Sequence, residues 1–312
     1  MKVIIISGPT ATGKTDLGIE LAKKFGGEIV NFDSLLLYKE IEIGTAKPTI
    51  EERKQIPHHM IDIASISSPL NASDYIKMAR PIVDNLLSKQ RLVFLVGGSG
   101  FYLQALIKGM YDSPSTPADI LEKSEQLYQS EGIAPFLKIL QQNDLKSFER
   151  YHENDHYRIR RAVEHFWANG TSLSLAREMK DEENAKLANS SIHAWDILHL
   201  HLDLPKEEHL KIIVARTDKM LRNGLINEVQ ELLSRGFTGQ EKPLQSIGYK
   251  EILELNRGVF KNLEECRERI IISTRQLAKS QRTWFNRTPN KIKFSPYQKD
   301  KIFERVRNFL DE

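Results

Sequence analysis

The sequence predicts an α/β protein: a parallel sheet core with a mainly helical insertion. Two observations predict the sheet. The predicted strands at 3–7 and 92–96 are continuously apolar except for Ser7, and they alternate with helical patterns, as in sheets that helices cover on both faces. A third observation predicts the insertion, because no segment from 115 to 192 has the pattern of a buried strand, whereas leucine and aromatic anchors recur in a polar, helical stretch.

The elements follow one another in an order that supports this division. After the first strand, the pattern predicts a helix at 14–25, a strand at 28–31, a candidate third strand at 59–63, a helix at 72–87 and the strand at 92–96. A turn-rich segment at 113–117 then marks a change of character. A strand at 197–202 resumes the α/β pattern, and Pro205 opens a run of helices to about Phe285.

Three regions are therefore predicted. They are the first part of the core at 1–114, a helical insertion or lid at 115–192, and the completion of the core with a basic helical C-terminal region at 193–312. The chain has 312 residues, which is about two domains' worth on the usual length expectation.

The composition excludes several classes of protein. The single cysteine, Cys266, excludes a disulfide framework or a cysteine-rich zinc module; it fits a reducing compartment, so we expect a cytoplasmic protein. No apolar run approaches the ~20 residues that span a bilayer, so no membrane partner is expected. A net charge of +3 does not by itself identify a nucleic-acid-binding protein.

The strongest local signal is a glycine-rich loop between the first strand and the first helix. Residues 8–15 satisfy G-x-x-x-x-G-K-[ST], the P-loop motif, so we expect a P-loop NTPase-like core. Its glycines let backbone amides turn inward around a diphosphate, and the helix N-terminus adds its dipole. Lys14 can reach the outer phosphate, and Thr15 can ligate Mg²⁺. The residues expected to hold a diphosphate are Gly8, Thr10, Ala11, Thr12, Gly13, Lys14 and Thr15.

The sequence around the next strands favours a transferase over a motor ATPase. Nucleotide hydrolases usually carry an acidic residue after a second apolar strand, but 97–100 contains none. The nearest suitable carboxylate is Asp33, just past the strand at 28–31. Because parallel strands end at the same edge of a sheet, Asp33 and Ser99 should both face the loop. The alternative for Asp33 is a helix N-cap before residues 35–37.

Several motifs, in order along nearly the whole chain, carry a family resemblance. They lie at 8–15, 33–39, 44–48, 57–63, 95–102, 152–162, 216–224, 247–251 and 274–279. Together they resemble the tRNA dimethylallyltransferases, also called tRNA isopentenyltransferases. The P-loop alone is shared by many activities, whereas Gly-Thr-Ala-Lys-Pro at 44–48 and Thr-Arg-Gln-Leu-Ala-Lys at 274–279 are far more specific.

The resemblance implies a reaction and its cofactor. The family transfers a dimethylallyl group from dimethylallyl diphosphate to the N6 amine of the adenosine just 3′ of the anticodon, tRNA position 37, and releases diphosphate. It implies Mg²⁺ as cofactor, with Thr15 as ligand, Asp33 as general base and Arg216 on the leaving group. Ser99 is the third residue assigned to catalysis; it stands where the family usually has threonine, and its retained hydroxyl is expected to make a supporting contact. The expected state is a monomer.

The resemblance also implies contacts to the anticodon stem-loop of tRNA. The expected residues are Asp33, Ser34, Leu35, Leu36, Ser99, Tyr157, Arg158, Ile159, Arg160 and Arg161, with Ser246, Gly248, Tyr249 and Lys250 as weaker candidates. An adenine in this loop must be extruded from its stack before it can react.

The distribution of charge adds a further RNA candidate. Between 267 and 301 there are ten lysines and arginines against two acidic residues. Arg275, Lys279 and Arg282 recur at helical spacing on one face, and Ile270, Leu277 and Trp284 are expected to supply the buried face. A solvated face is as consistent with the charge as one that follows phosphates, and the resemblance favours RNA.

Other interpretations of the sequence remain open. The P-loop could bind ATP in a kinase, the chain could bind RNA without catalysis, or it could prenylate free adenine nucleotides. His152 and His156 have the i, i+4 spacing of a zinc pair on a helix, but no third soft ligand is nearby. His58 and His59 are interpreted as polar loop residues, and Cys266 as a small core residue.

Overall fold

The computed structural model describes residues 1–189 and 195–312. Two compact units make up the chain: Met1–Leu106 with Trp195–Glu312, and Ile107–Ala194. The second unit thus begins at Ile107 rather than at residue 115. The reason is Tyr111, whose hydroxyl lies 3.0 Å from Nε2 of His165 and whose ring packs with the core of the insertion.

The first unit is built on a six-stranded sheet with spatial order β3-β2-β4-β1-β5-β6, and every pair of neighbouring strands is parallel. The strands are β1 (Lys2–Ser7), β2 (Gly27–Asn31), β3 (His58–His59), β4 (Leu92–Val96), β5 (Asp196–Leu202) and β6 (Lys291–Phe294). The predicted α/β class is confirmed. The third strand is shorter than expected, because Met60 and Asp62 adopt left-handed backbone conformations that end the extended segment.

Fourteen α-helices are found in the part of the chain that the structure describes. They are α1 (Lys14–Phe25), α2 (Ile50–Gln55), α3 (Ala72–Ser88), α4 (Gly100–Lys108), α5 (Ala118–Glu131), α6 (Ala134–Asn143), α7 (Leu145–Arg150), α8 (His156–Asn169), α9 (Leu173–Asn189), α10 (Lys206–Arg222), α11 (Leu225–Ser234), α12 (Tyr249–Asn256), α13 (Leu263–Asn286) and α14 (Lys299–Asp311). None of the described helices is both long and apolar enough to cross a membrane.

The core of the first unit joins the two ends of the chain. Ile4, Ile6 and Phe94 of the sheet are fully buried, and α14 buries Ile302 and Val306 in the same cluster. Burying each such side chain contributes about 1.5–3 kcal/mol. Nζ of Lys2 also donates to the carbonyls of Phe309 and Leu310 at 2.6 and 2.9 Å. The last helix is therefore part of the core that carries β1.

The second unit has a core of its own, formed by Phe136, Leu140, Ile159, Val163 and their neighbours. Helix α8 begins at His156 because the side chain of Asp155 caps it, accepting from the backbone N–H of Arg158 at 3.2 Å. His152 lies before this cap and outside the helix. The i, i+4 helical pair considered for zinc does not form.

The buried face of α13 differs from the predicted one. Ile270 is buried, but Leu277 and Trp284 are 39% and 38% exposed, and the C-terminal half of the helix buries Ala278 and Phe285 instead. The neighbours explain the change, because Phe285 packs against the rings of His199 and His201 on β5, with centroids 6.2 and 5.3 Å away. The predicted seven-residue spacing is therefore wrong for this half of the helix.

Substitution of Ile159 tests how much the core of the second unit contributes to stability. Ile159→Ala should lower the free energy of unfolding by about 2–4 kcal/mol, because it leaves a cavity in a fully buried position. Urea titration followed by tryptophan fluorescence measures this, since Trp167 packs 5.9 Å from Phe136 in the same core. The control is Tyr157→Ala on the same helix, 76% exposed, which should change stability by less than about 0.5 kcal/mol. Equal losses in the two variants would contradict this assignment.

Candidate active site

The glycine-rich loop joins β1 to α1 and is held in an unusual backbone conformation. Gly8, Ala11 and Gly13 have φ angles of 153°, 62° and 79°. A Cβ on Gly8 would lie 2.4 Å from the carbonyl oxygen of Leu202, so only glycine fits there. Ala11 is a non-glycine residue in the left-handed region, which is strained for an L-amino acid.

The base of this loop is anchored by a buried polar cluster. Oγ of Ser7, the last residue of β1, lies 2.7 Å from Nε2 of His199 and 2.9 Å from Nδ1 of His201. Burial lowers the pKa of both imidazoles to about 4, so both are neutral near pH 7. The hydroxyl can then donate to one ring and accept from the other. No motif in the sequence indicates this cluster.

Two cationic side chains converge at the mouth of the loop. Nζ of Lys14 donates to the Pro9 carbonyl at 2.7 Å. Burial lowers the pKa of Lys14 to about 8; Asp33 partly offsets this effect, and Arg216 adds to it. Burial also lowers the pKa of Arg216, whose Nη2 makes a long 3.5 Å contact with the Thr45 carbonyl. Because desolvation disfavours both charges, an anion bound between them would be stabilised.

These groups line one cavity of about 560 Å³, including the solvent space at its mouth. One part of its wall is polar and the other is apolar. The polar part is formed by Thr10, Lys14, Thr15, Asn31, Asp33, Thr45, His58 and Arg216. The apolar part is formed by Ile29, Leu36, Ala46, Pro48, Ile61 and Val96, with Gly97 beside it.

Asp33 lies at the end of β2 in a turn that its own side chain stabilises. Its N–H donates to Oδ1 of Asn31 at 2.8 Å, and its Oδ1 accepts from the N–H of Leu35 at 3.1 Å. Residues 34–37 form turns and not a helix, so the alternative of a helix N-cap is wrong. Nδ2 of Asn31 holds the next peptide by donating to the Asp33 carbonyl at 3.0 Å.

Ser99 supports this turn from the end of β4. Its Oγ accepts from the backbone N–H of Ser34 at 3.1 Å and lies 3.3 Å from the Ser34 hydroxyl. Ser99 is not among the residues that line the cavity. Asp33 and Ser99 were both expected to face the phosphate loop. Asp33 lines the cavity with the loop, whereas Ser99 contacts the backbone that follows Asp33.

The loop at 44–48 forms another part of the wall and is held by Glu228 and by Tyr249, which the sequence suggests as an RNA contact. Glu228 of α11 accepts from the backbone N–H groups of Glu42 and Ile43 at 2.6 and 3.1 Å. Tyr249 donates its O–H to Glu228 at 2.8 Å and accepts from the Gly44 N–H at 3.1 Å. A Cβ on Gly44 would lie 2.3 Å from the Tyr249 ring. No sequence motif signals Glu228.

The same loop is also tied to the segment after β3. Lys47 donates to Oδ1 of Asp62 at 2.5 Å and to the Tyr38 carbonyl at 2.7 Å, and Arg53 pairs with the other oxygen of Asp62. Lys47 and Asp62 lie in the motifs at 44–48 and 57–63, which therefore signal this ion pair, whereas Arg53 lies in none of the motifs.

The predicted RNA-binding residues of the first unit divide into exposed and buried groups. Arg275 and Lys279 are exposed on α13, as are Lys250 and, in part, Ser246. Gly248 and Tyr249 are buried, so neither is an RNA contact; Tyr249 supports the 44–48 loop, and the Gly248 N–H donates to Glu251 at 2.7 Å. Leu36 is almost fully buried and is placed in the cavity wall. Ser34 and Leu35 are half-buried in the turn after Asp33.

Arg282 also has a different place from the predicted one. Its Nε donates to Oδ1 of Asp203 at 2.7 Å, and its Nη2 donates to the Leu204 carbonyl at 3.2 Å and to Nδ1 of His209 at 2.6 Å. With these partners, Arg282 belongs to the packing around the loop rather than to a face that follows RNA phosphates.

The predicted RNA-binding segment of the second unit lies on α8. Tyr157 and Arg158 are exposed, and Arg158 pairs with Asp155 at 2.8 Å. Arg160 lies over the Tyr128 ring, 4.5 Å from its centroid, and Arg161 pairs with Glu164 and Thr116. Ile159 is fully buried, so it is a core residue and not an RNA contact.

A family model described as IPP transferase matches residues 36–288. The chain belongs to the IPP transferase family. The match begins after the P-loop and Asp33. The family model therefore does not cover those residues, and their positions are given by the structure.

Relatives of this family match nearly the full length of the chain. The "tRNA dimethylallyltransferase 2" of Geotalea uraniireducens is 38% identical over 287 residues, covering 92% of this chain and 90% of that protein. The "tRNA dimethylallyltransferase" of Geobacter metallireducens is 36% identical over 309 residues, covering 99% and 97%.

Solved structures of the family share the fold. The full-length tRNA isopentenylpyrophosphate transferase of Bacillus halodurans aligns with a TM-score of 0.71 and 29% identity, covering 99% of this chain and 97% of that one. A eukaryotic dimethylallyltransferase acting on tRNA aligns with a TM-score of 0.78 and 27% identity, covering 98% and 77%. The expected family and fold class are confirmed.

The lowered pKa of Lys14 predicts a pH dependence. As pH rises through about 8, Lys14 of the free protein loses its proton, so affinity for inorganic diphosphate should fall. Lys14→Arg keeps its charge in this range, so its affinity should change much less. Calorimetric titration from about pH 7 to 9 measures both proteins, and the comparison removes the titration of diphosphate itself. The same fall in the arginine variant would show that Lys14 is not the titrating group.

Proposed function

We propose that the chain transfers a dimethylallyl group from dimethylallyl diphosphate to the N6 amine of the adenosine 3′ of the anticodon in tRNA, and releases diphosphate. One observation carries the proposal: a single cavity combines the cations of a phosphate loop, an apolar wall and a carboxylate. A diphosphate ester with a short hydrocarbon chain needs both kinds of wall. The relatives named as tRNA dimethylallyltransferases support this substrate pair.

The diphosphate leaves as negative charge builds on its oxygens. Preorganised donors at that position are worth most in a site shielded from water. The loop amides, the Lys14 ammonium and the Arg216 guanidinium are the donors that the cavity offers. Arg216 has one long contact to Thr45, and a guanidinium can offer two parallel N–H groups to phosphate oxygens.

Magnesium fits this donor set as a cofactor shared with the substrate. Among residues 1–189 and 195–312, the structure has no cluster of three histidine, cysteine or acidic residues that could hold a metal ion. Mg²⁺ is commonly bound by one or two protein oxygens together with substrate phosphates. The Thr15 hydroxyl, with diphosphate oxygens, would hold it. When bound, the ion would neutralise charge that develops on the leaving diphosphate.

The amine must lose a proton as it attacks. The bond from the allylic carbon to the diphosphate oxygen breaks, the bond from that carbon to N6 forms, and one N6 proton leaves. Asp33 lines the cavity with one oxygen already bound to the Leu35 N–H. Its carboxylate can accept a hydrogen bond from the amine and then take the proton.

The RNA must present an unstacked adenine to this cavity. Extruding a base from an anticodon loop costs a few kcal/mol, which contacts elsewhere on the RNA must offset. The exposed cations Arg275 and Lys279 are suited to contacts with RNA phosphates. Tyr157 and Arg158 are also exposed and could contact the anticodon loop. We propose Arg275 and Lys279 as tRNA-binding residues of the first unit, and Tyr157 and Arg158 as tRNA-binding residues of the second unit.

We also propose that the enzyme acts in the cytoplasm as a monomer. A single buried cysteine fits a reducing compartment such as the cytoplasm, and a tRNA-sized substrate suits a monomer. A P-loop could also hold a nucleotide, and ATP binding stays a prediction.

Asp33→Asn tests the chemistry. The variant should retain the turn, because the amide oxygen can still accept from Leu35, but transfer should fall by about 10²–10⁴-fold when the base is lost. The assay is transfer of labelled prenyl group from dimethylallyl diphosphate to tRNA with Mg²⁺, with mass analysis of the modified nucleoside and a separate measurement of tRNA affinity. Asp300→Asn, an exposed aspartate on α14, is the control and should keep full activity.

The assay also separates the other candidate functions. ATP turnover without prenyl transfer by the unmodified protein would indicate a kinase. Transfer to AMP in preference to tRNA would indicate a nucleotide prenyltransferase. Equal loss of activity and tRNA affinity in Asp33→Asn would mean that Asp33 contacts RNA instead of acting as a base.

Arg275→Gln and Lys279→Gln test the RNA surface. Each should weaken tRNA binding and reduce the slope of log affinity against log salt by about one, as expected for one lost phosphate contact. Filter binding across a range of salt concentrations measures both quantities. Lys24→Gln, an exposed lysine on α1, should leave the slope unchanged. Unchanged slopes in all three variants would remove α13 from the RNA surface.

A further inference from the structure

The conformation of the P-loop carries a strain that its neighbours must offset. Ala11 has a φ of 62°, in the left-handed region. For a non-glycine residue this conformation is strained, and it persists only where surrounding contacts hold it. The Thr10 carbonyl belongs to the peptide bond that precedes Ala11. A hydrogen bond to its oxygen therefore restrains the backbone of the strained residue directly.

Both backbone polar groups of Thr10 are held by side chains. The Thr10 N–H donates to Oε1 of Gln281 at 2.7 Å, and Nε2 of Gln281 donates to the Gly98 carbonyl at 3.1 Å. The Thr10 carbonyl lies 2.8 Å from Nε2 of His209. His209 is buried on α10 and was not among the residues identified from the sequence.

The partners of His209 determine its protonation. The Thr10 carbonyl can only accept, so Nε2 carries the hydrogen and donates to it. The Arg282 guanidinium can only donate, so Nδ1, 2.6 Å away, must accept. His209 is therefore neutral, and burial, which lowers its pKa, favours the same form. Asp203 orients Arg282 at 2.7 Å from the other side.

We propose that His209 is a positioning residue for the diphosphate loop. Its hydrogen bond to the Thr10 carbonyl holds Ala11 in the left-handed conformation that turns the following loop amides toward the diphosphate. This inference rests on the proposed function in one respect, namely that the loop binds a diphosphate. Arg282 acts through His209, which explains why this member of the basic helix faces inward while Arg275 and Lys279 face solvent.

The test measures binding of inorganic diphosphate, with Mg²⁺, by calorimetry on the full chain. His209→Leu keeps an apolar side chain but removes the donor, and affinity should fall about fivefold, the effect of one neutral hydrogen bond. His209→Gln offers an N–H donor at a similar reach and should stay within about twofold of the unmodified protein. A purely structural role would not distinguish these variants in this way.

A second experiment removes the backbone strain at Ala11. Glycine adopts positive φ without a steric cost, so in an Ala11→Gly background the loss caused by His209→Leu should shrink to less than about twofold. Thermal unfolding of each variant confirms that the compared proteins are folded. In steady-state assays, the loss in His209→Leu should appear mainly as a raised KM for dimethylallyl diphosphate, with the KM for tRNA unchanged.

The outcomes separate this inference from the proposed function. If the unmodified protein does not bind diphosphate, both fail. If it binds diphosphate but His209→Leu binds equally well, or if the leucine and glutamine variants lose affinity equally, the positioning role of His209 is overturned alone. An undiminished loss in the Ala11→Gly background would also overturn it.

Discussion

The parallel register of the central strands is the constraint on which the site depends. Ile6 of β1 is level with Val96 of β4, and Val96 is level with Asn31 of β2. All three strands therefore end at one edge of the sheet. The phosphate loop, the turn of Asp33 and the Ser99 hydroxyl follow these ends directly. Three segments far apart in sequence come together without long loops because the backbone pairing aligns them.

Much of this arrangement could be predicted, because it follows from local pattern. Strands that are apolar throughout indicate a sheet covered on both faces, and the glycine motif indicates the edge at which a ligand binds. These two patterns alone predict that Asp33 and Ser99 lie at the same edge of the sheet. The short third strand could not be predicted, because its end depends on left-handed conformations at Met60 and Asp62, and such conformations are uncommon in residues other than glycine.

The residues that were wrongly placed share a physical cause. The pattern shows that α13 is basic and amphipathic, but not which partner each side chain meets. Arg282 turns inward because Asp203 and His209 lie beside it. The buried face of the C-terminal half of α13 is set by Phe285, which packs against His199 and His201 on β5. Ile159 follows the same rule, since a residue inside an RNA-binding motif can still point into the core. Tertiary contacts determine where these side chains lie, and the periodicity of the sequence carries no information about those contacts.

The packing of α14 against the first strands has a consequence for how the chain acquires its structure. The sheet needs β5 and β6, and its core needs Ile302 and Val306, so the native contacts of β1 join residues some two to three hundred positions apart. Such long-range pairing raises contact order and slows folding. The second unit relies on contacts among helices α5 to α9, which belong to one continuous segment of the chain. During synthesis we therefore expect the insertion to fold while the phosphate loop is still without its sheet, so the catalytic centre is among the last parts of the molecule to form.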